Sequence, residues 1–204
     1  MRKAWPLLLI IFMLFSGLNL HAQEETDEEP PSDESDWGKF ISEPYSRGDK
    51  TFSIILGVLF PAFFTGVEDN QHGIKLGGVG SLVFNYFVSP RIFLGAELSG
   101  SFSATRGGNM LYLVPFGLRA GYQFWFKRFE IPISVLLGAA PQKYLEKGYF
   151  GPVIKPGAAF FWRYNPDWSF GLNTNWWILP QWPKNKYNAI GNFLELTLAV
   201  RYNF

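Results

Sequence analysis

The sequence predicts an all-β fold, eight antiparallel strands closed into an up-and-down transmembrane barrel, and three observations carry that prediction. From Thr51 to the C-terminus apolar side chains recur at every second position in eight successive runs, as expected of strands with one apolar face. Gly77, Gly95, Gly117, Gly121, Gly157 and Gly171 fall on the opposite, polar face. Short connections alternate with longer ones, as in a barrel with turns at one end and loops at the other.

The chain begins with basic Arg2 and Lys3, an apolar run from Trp5 to Leu20, and His21-Ala22-Gln23 with a small residue before the expected cut. This predicts a cleaved signal peptide over residues 1–22; the run is short and interrupted by Ser16 and Asn19, which disfavours a membrane anchor. Residues 23–49 follow as an acidic, Pro-containing leader expected to be solvated and periplasmic. Residues 24–36 hold eight Asp or Glu and no base, whereas 50–204 hold fourteen Lys or Arg against seven acids. With no cysteine in the chain, disulfides, thiol nucleophiles and thiolate metal sites are excluded.

The barrel is expected over 50–204. Its first strand alternates Phe52, Ile54, Leu56, Val58 and Phe60 against Thr51, Ser53 and Gly57. The second sets Leu82, Phe84 and Tyr86 against Gly77, Ser81 and Asn85, and the third sets Ile92, Leu94, Leu98 and Phe102 against Gly95, Glu97, Ser99 and Ser101. The fourth runs from Met110 to Phe126, with Gly117, Arg119, Gly121 and Gln123 on its polar face. The fifth places Ile131, Ile133 and Leu137 opposite Glu130 and Ser134, and the sixth places Ile154, Phe160 and Trp162 opposite Lys155, Gly157 and Arg163. The seventh opposes Phe170, Leu172, Trp176 and Ile178 to Ser169, Gly171, Asn173 and Asn175. The last opposes Leu194, Leu196, Leu198, Val200, Tyr202 and Phe204 to Glu195, Thr197, Arg201 and Asn203. Short turns fall at Val88-Ser89-Pro90, Lys127-Arg128 and Asn165-Pro166-Asp167. Longer loops are expected at about 61–74, 104–109, 140–149 and 180–191.

Side-chain volume decides which face points inward. A lipocalin-like soluble barrel would turn its apolar face to the lumen. Eight strands leave an interior only just wide enough for side chains, and the Gly, Ser, Asn and Thr set fits there. The Phe, Trp, Tyr and Leu set is then lipid-facing, since in water it would aggregate. Girdles of interfacial aromatics are expected from Tyr86, Tyr122, Phe124, Trp162, Tyr164, Trp168, Tyr202 and Phe204 at the short-turn end, and from Phe60, Tyr112, Trp176 and Trp177 at the loop end. Pro115, Pro132 and Pro156 fall inside strands and each removes a ladder donor, which predicts bulges there or a register shift in the sixth strand.

The polar face concentrates charge: Glu97, Arg119, Lys155 and Glu195 at mid-depth, with Glu130, Arg163 and Arg201 nearer the short turns. Such groups need partners in a narrow lumen, so they predict either a salt-bridged plug or a selectivity cluster in a narrow pore. His72, near Glu68, Asp69 and Asn70 in the first loop, reads as a solvated loop histidine. A lipid-modifying enzyme using His72 with Ser101 or Ser103 is the third alternative, behind a non-enzyme. No catalytic or metal-binding constellation and no cofactor or nucleotide motif is recognised; Gly77-Gly78-Val79-Gly80 lies in a strand, with no helix after it to make a phosphate cradle. Loop aromatics Phe63, Phe64, Tyr149, Phe150 and Trp182, the last beside Lys184 and Lys186, suit interfacial anchoring or contacts with host surfaces.

The ending Leu198-Ala199-Val200-Arg201-Tyr202-Asn203-Phe204 resembles the C-terminal strand of small outer-membrane barrel proteins of the OmpW, OmpX and OmpA-barrel type, OmpW-like above all. The resemblance covers about Lys50 to Phe204. It implies an outer-membrane location with periplasmic termini and extracellular long loops, contact with outer-membrane lipid, and delivery by the barrel-assembly machinery through Leu198, Val200, Tyr202 and Phe204. For the OmpW-like type it further implies passage of small apolar solutes through a lateral opening. Function is accordingly expected to be a narrow channel or passage for small solutes, the alternative being a non-conducting structural or surface-interaction barrel. Nucleic acid is not an expected partner.

Overall fold

A computed structural model describes residues 45–65, 73–144, 147–181 and 189–204. The expected signal peptide, most of the leader, His72 and its acidic neighbours, Trp182, Lys184 and Lys186 lie outside the described residues.

Alternating apolar and polar residues build β1 (Lys50–Thr65), β2 (Ile74–Phe87), β3 (Ile92–Thr105), β4 (Met110–Leu113), β5 (Phe116–Phe126), β6 (Phe129–Tyr144), β7 (Lys147–Arg163), β8 (Trp168–Gln181) and β9 (Ala189–Asn203). All neighbours pair antiparallel. β4 and β5 both lie between β3 and β6 and are two halves of one stave. With β2 on β3 and β9 on β1 the sheet closes on itself, an eight-stranded barrel. The seam is completed by Lys50 N–H donating to Phe204 O at 2.8 Å and Phe204 N–H donating to Lys50 O at 3.0 Å. Below the loop end, closure leaves no sheet edge around the wall.

Parity holds on every stave. Leu118, Leu198 and Leu56 face outward at 74%, 67% and 64% exposure, while Ser53, Asn85, Ser99, Glu130 and Arg201 are buried in the lumen. Inward glycine is required where adjacent staves run close: a Cβ on Gly117 would stand 2.4 Å from Leu137 O and 2.7 Å from Gly138 Cα on the neighbouring strand.

The prolines behave differently from expectation. Pro115 divides the fourth stave, yet the register is the same on both sides, Leu113 facing Ser101 and Phe116 facing Leu98. Pro115 O accepts from Ser99 N–H at 2.8 Å, so only the donor half of the ladder is lost. Beside Pro132 and Pro156 the β6–β7 and β7–β8 ladders skip two positions and resume in unchanged register. Register shifts instead occur between Pro61 and Phe63 on β1 and between Ile74 and Gly77 on β2. β1 therefore continues through Pro61 to Thr65, and β6 and β7 continue to Tyr144 and Lys147, so these loops are shorter than the sequence suggests.

Near the loop end two ladders stop early. β1 and β2 part beyond Leu59–Gly77, and β7 and β8 part beyond Ile154–Ile178. The staves β8, β9 and β1 remain paired with one another to Gln181, Ala189, Ile190 and Thr65. The upper wall is thus two leaves.

Candidate functional site: a layered lumen

The inward side chains fill the barrel in alternating layers. At the short-turn end Tyr45, contributed by the chain just before β1, is 2% exposed and stacks on Phe87 with ring centroids 4.0 Å apart. Phe93 joins this lid. The Tyr45 hydroxyl donates to Glu130 Oε2 at 2.9 Å or Asn203 Oδ1 at 3.0 Å. Burial first, and the Glu130 carboxylate second, push this phenol far above its ordinary value, so it stays a neutral donor.

Above the lid lies the first charged layer. Glu130 Oε2 accepts from Arg201 Nη1 at 3.0 Å and Gln123 Nε2 at 3.2 Å, and its Oε1 lies 3.5 Å from Arg163 Nε. The cations are also faced by rings: Arg163 Cζ stands 4.8 Å over Tyr45, and Arg201 Cζ 3.6 Å over Phe161, contacts that strengthen when water is excluded. An apolar belt of Ile55, Val83, Ala159, Phe161 and Ala199 comes next.

The second charged layer is one connected chain, Arg119–Glu97–Lys155–Glu195. Glu97 pairs with Arg119 Nη1 at 3.2 Å and Lys155 Nζ at 2.5 Å, and Lys155 Nζ lies 3.2 Å from Glu195 Oε2. Lys155 is the bridge between the two carboxylates, 2% exposed, and Glu195 is 0% exposed. The spare lone pairs are taken up: Glu195 accepts from Asn175 Nδ2 at 3.0 Å and Trp177 Nε1 at 2.5 Å, Glu97 from Ser99 Oγ at 2.9 Å, and Arg119 Nη2 donates to Ser134 Oγ at 2.6 Å. Two acids and two bases make this layer neutral, the condition under which buried ions are tolerable.

The top layer is apolar: Leu59, Val79, Leu113, Leu136, Ala140, Val153, Trp177, Leu179 and Phe193 form one cluster. Each leaf contributes to it, Leu59, Trp177, Leu179 and Phe193 from β8, β9 and β1, the rest from the other wall. A polar contact crosses between leaves here, Gln181 Nε2 donating to Gln142 Oε1 at 2.7 Å.

All seven charged residues singled out in the sequence therefore point into the lumen, in two groups. Trp177 does not join the loop-end girdle; it points inward, because the Glu195 carboxylate needs a donor there. Tyr45 and the apolar plug were not anticipated. Ser101 and Ser103, named as partners of a loop histidine, are buried inside the lumen at 6% and 1% exposure. Leu198, Val200, Tyr202 and Phe204 all face outward, and the Tyr202 ring lies 5.0 Å from Trp168 and 5.7 Å from Phe204. Among the described residues no group of three or more His, Cys, Asp or Glu is placed to hold a metal.

An apolar outer wall around a side-chain-filled interior defines a small transmembrane β-barrel of the outer-membrane type. The backbone is similar to that of the outer membrane protein OprG from Pseudomonas aeruginosa, with TM-score 0.58, 9% identity, and 79% of this chain and 98% of that chain covered. It is likewise similar to Neisserial surface protein A, with TM-score 0.57, 12% identity, and coverage of 77% and 97%. In sequence it is 29% identical over 217 residues, 99% of this chain and 98% of the other, to an uncharacterized protein of Treponema pallidum (strain Nichols). A second uncharacterized protein, from Borreliella burgdorferi (strain ATCC 35210 / DSM 4680 / CIP 102532 / B31), is 22% identical over 178 residues, covering 76% and 84%. A family model matches residues 26–202, and the chain belongs to that family.

Proposed function

We propose that the protein is a non-conducting outer-membrane barrel whose lumen is its structural core and whose working surfaces are the outer wall and the loop end. The observation that carries this reading is burial at successive depths: Lys155 and Glu195, then Leu59, Trp177 and Leu179, are all between 0% and 2% exposed. A continuous water-lined passage would have to cross the apolar top layer, where every member of the cluster is 5% exposed or less. In this reading the termini and short turns are periplasmic and the long loops extracellular. The outward stripe of Leu198, Val200, Tyr202 and Phe204 is what the assembly machinery recognises, and no catalytic step is assigned. The test is swelling of proteoliposomes in small sugars. Swelling no faster than in protein-free vesicles is expected; rapid, size-dependent swelling overturns the reading.

One observation favours a second reading, passage of small apolar solutes. The β7–β8 seam carries Pro152, Pro156 and Pro180, each lacking a donor, and it borders the apolar plug through Val153 and Leu179. Parting of the two leaves would open the plug sideways to lipid. A disulfide joining Cys residues placed at Gln142 and Gln181 would hold the leaves together, and abolished uptake of an apolar tracer in that variant is the expected mark of this reading. Unchanged uptake removes it.

A further inference from the structure

Two features of the outer wall lie close together along the same staves. A recess of about 670 Å³ opens on the lipid-facing side from β1 (Phe52) across β2, β3, β5 and β6, where small Ala96 and Ala139 lie among Phe84, Phe116, Leu118 and Leu137. At the short-turn end of this wall stand the basic residues of two turns. Arg91 is held beside β5 by Gln123 N–H donating to Arg91 O at 2.7 Å. Its guanidinium lies 5.4 Å from the Trp125 ring centroid, and its Nη1 donates to Tyr122 Oη at 3.4 Å. Lys127 and Arg128 make the next turn, with Lys127 Nζ 5.8 Å from the Phe126 ring centroid.

We propose that this wall binds one anionic phospholipid from the leaflet at the short-turn end, its phosphate against Arg91 and Lys127 and one acyl chain lying in the recess. The inference rests on the barrel being embedded in a bilayer. Dimensions support it: Arg91 and Ala96 are five positions apart, about 17 Å along an extended strand, and half of a hydrocarbon core is about 15 Å. A headgroup at the aromatic girdle therefore sends its chain past Leu94 and Ala120, which pair across β3–β5, to end at the recess. Arg91 bonds Tyr122 of that girdle, and Lys127 stands over outward Phe126 beside it, at the depth where phosphates lie. Guanidinium and ammonium donors satisfy a phosphodiester. A zwitterionic headgroup brings its own cation to the same place, so the site prefers a lipid without one.

The test is native mass spectrometry of the full-length mature chain released from bilayers of equal phosphatidylcholine and phosphatidylglycerol. One retained phosphatidylglycerol per barrel is expected, enriched roughly tenfold or more by two basic residues. Arg91→Gln with Lys127→Gln is expected to bring the ratio to parity, and Ala96→Phe, which fills the recess from the lipid side, to lower retention of both lipids. Both variants alter outward positions, and a heat-modifiable gel shift reports that each is folded. Parity in the wild type, unchanged retention in folded Ala96→Phe, or displacement by soluble glycerol phosphate overturns the proposal. A wild-type chain that never inserts overturns the bilayer reading and the site together.

Discussion

Lys155→Met distinguishes a packed lumen from a solvated one by magnitude. Lys155 Nζ sits between Glu97 at 2.5 Å and Glu195 at 3.2 Å, and 4.4 Å from the centroid of the Trp177 ring. Methionine preserves the stem and removes the charge. Glu97 keeps Arg119, but Glu195 keeps only neutral donors, Trp177 Nε1, Asn175 Nδ2 and Thr197 Oγ1. Stranding a buried carboxylate this way costs about 3–5 kcal/mol; the neutral donors that remain place the expected loss near the lower figure. In a water-filled pore the same substitution would cost only about 0.2–1 kcal/mol. Adding Glu195→Gln removes the stranded charge; its amide oxygen still accepts from Trp177 Nε1, and its amide nitrogen can donate to Asn175 Oδ1 once that amide flips. The double variant is therefore expected to recover roughly 2 kcal/mol of the loss, because replacing both members of a buried pair is often close to neutral. Urea unfolding in lipid vesicles, followed by tryptophan fluorescence, measures both. A single-variant loss below about 1 kcal/mol, or strict additivity in the double variant, refutes the packed-lumen argument.

Three further outcomes follow from the same geometry. Tyr45→Ala removes the stack on Phe87 and the donor to Glu130, and about 3 kcal/mol of stability should go with it; vesicle unfolding checks this. Because the folded-state phenol is raised, its contribution is complete below the unfolded value of about 10 and is lost as pH rises toward the folded value. The wild type should thus lose stability above that pH more steeply than Tyr45→Phe, and parallel curves would contradict the buried hydroxyl. Gly117→Ala, whose Cβ would meet backbone at 2.4 Å, should abolish the heat-modifiable folded band, whereas Gly100→Ala, with nothing within 4 Å, should leave it intact. Phe204→Ala, which keeps both backbone bonds to Lys50, should reduce the folded fraction in cells severalfold without lowering the yield of chain refolded into detergent micelles, as expected if the ring addresses assembly rather than stability.

Strand number, parity and the charged lumen residues were legible because alternation encodes them directly. Leu198, Val200 and Tyr202 can face lipid only if Arg201 and Glu195 face the lumen. The apolar plug was hidden by the same logic. In Val58-Leu59-Phe60, Val135-Leu136-Leu137 and Trp176-Trp177-Ile178-Leu179 both faces are apolar, so the run carries no parity of its own and inward Leu59, Leu136 and Trp177 look like lipid-facing residues. Tyr45 was hidden for the opposite reason, being one aromatic in a polar approach with no period to place it. The prolines misled because a missing donor was read as a displaced strand. Pro115 keeps its carbonyl in the ladder and the register survives, while the bulge at Pro61 lay where the sequence suggested a loop.

Planar-bilayer current through the purified barrel tests the central claim, that two salt-bridged charge layers and an apolar plug close the lumen, most directly. The account predicts no ion current from the wild type, and none from Glu97→Gln or Arg119→Gln at voltages the bilayer withstands. Steady single-channel steps whose size or ion selectivity changes with Glu97→Gln would contradict it, because that carboxylate would then line a water-filled path.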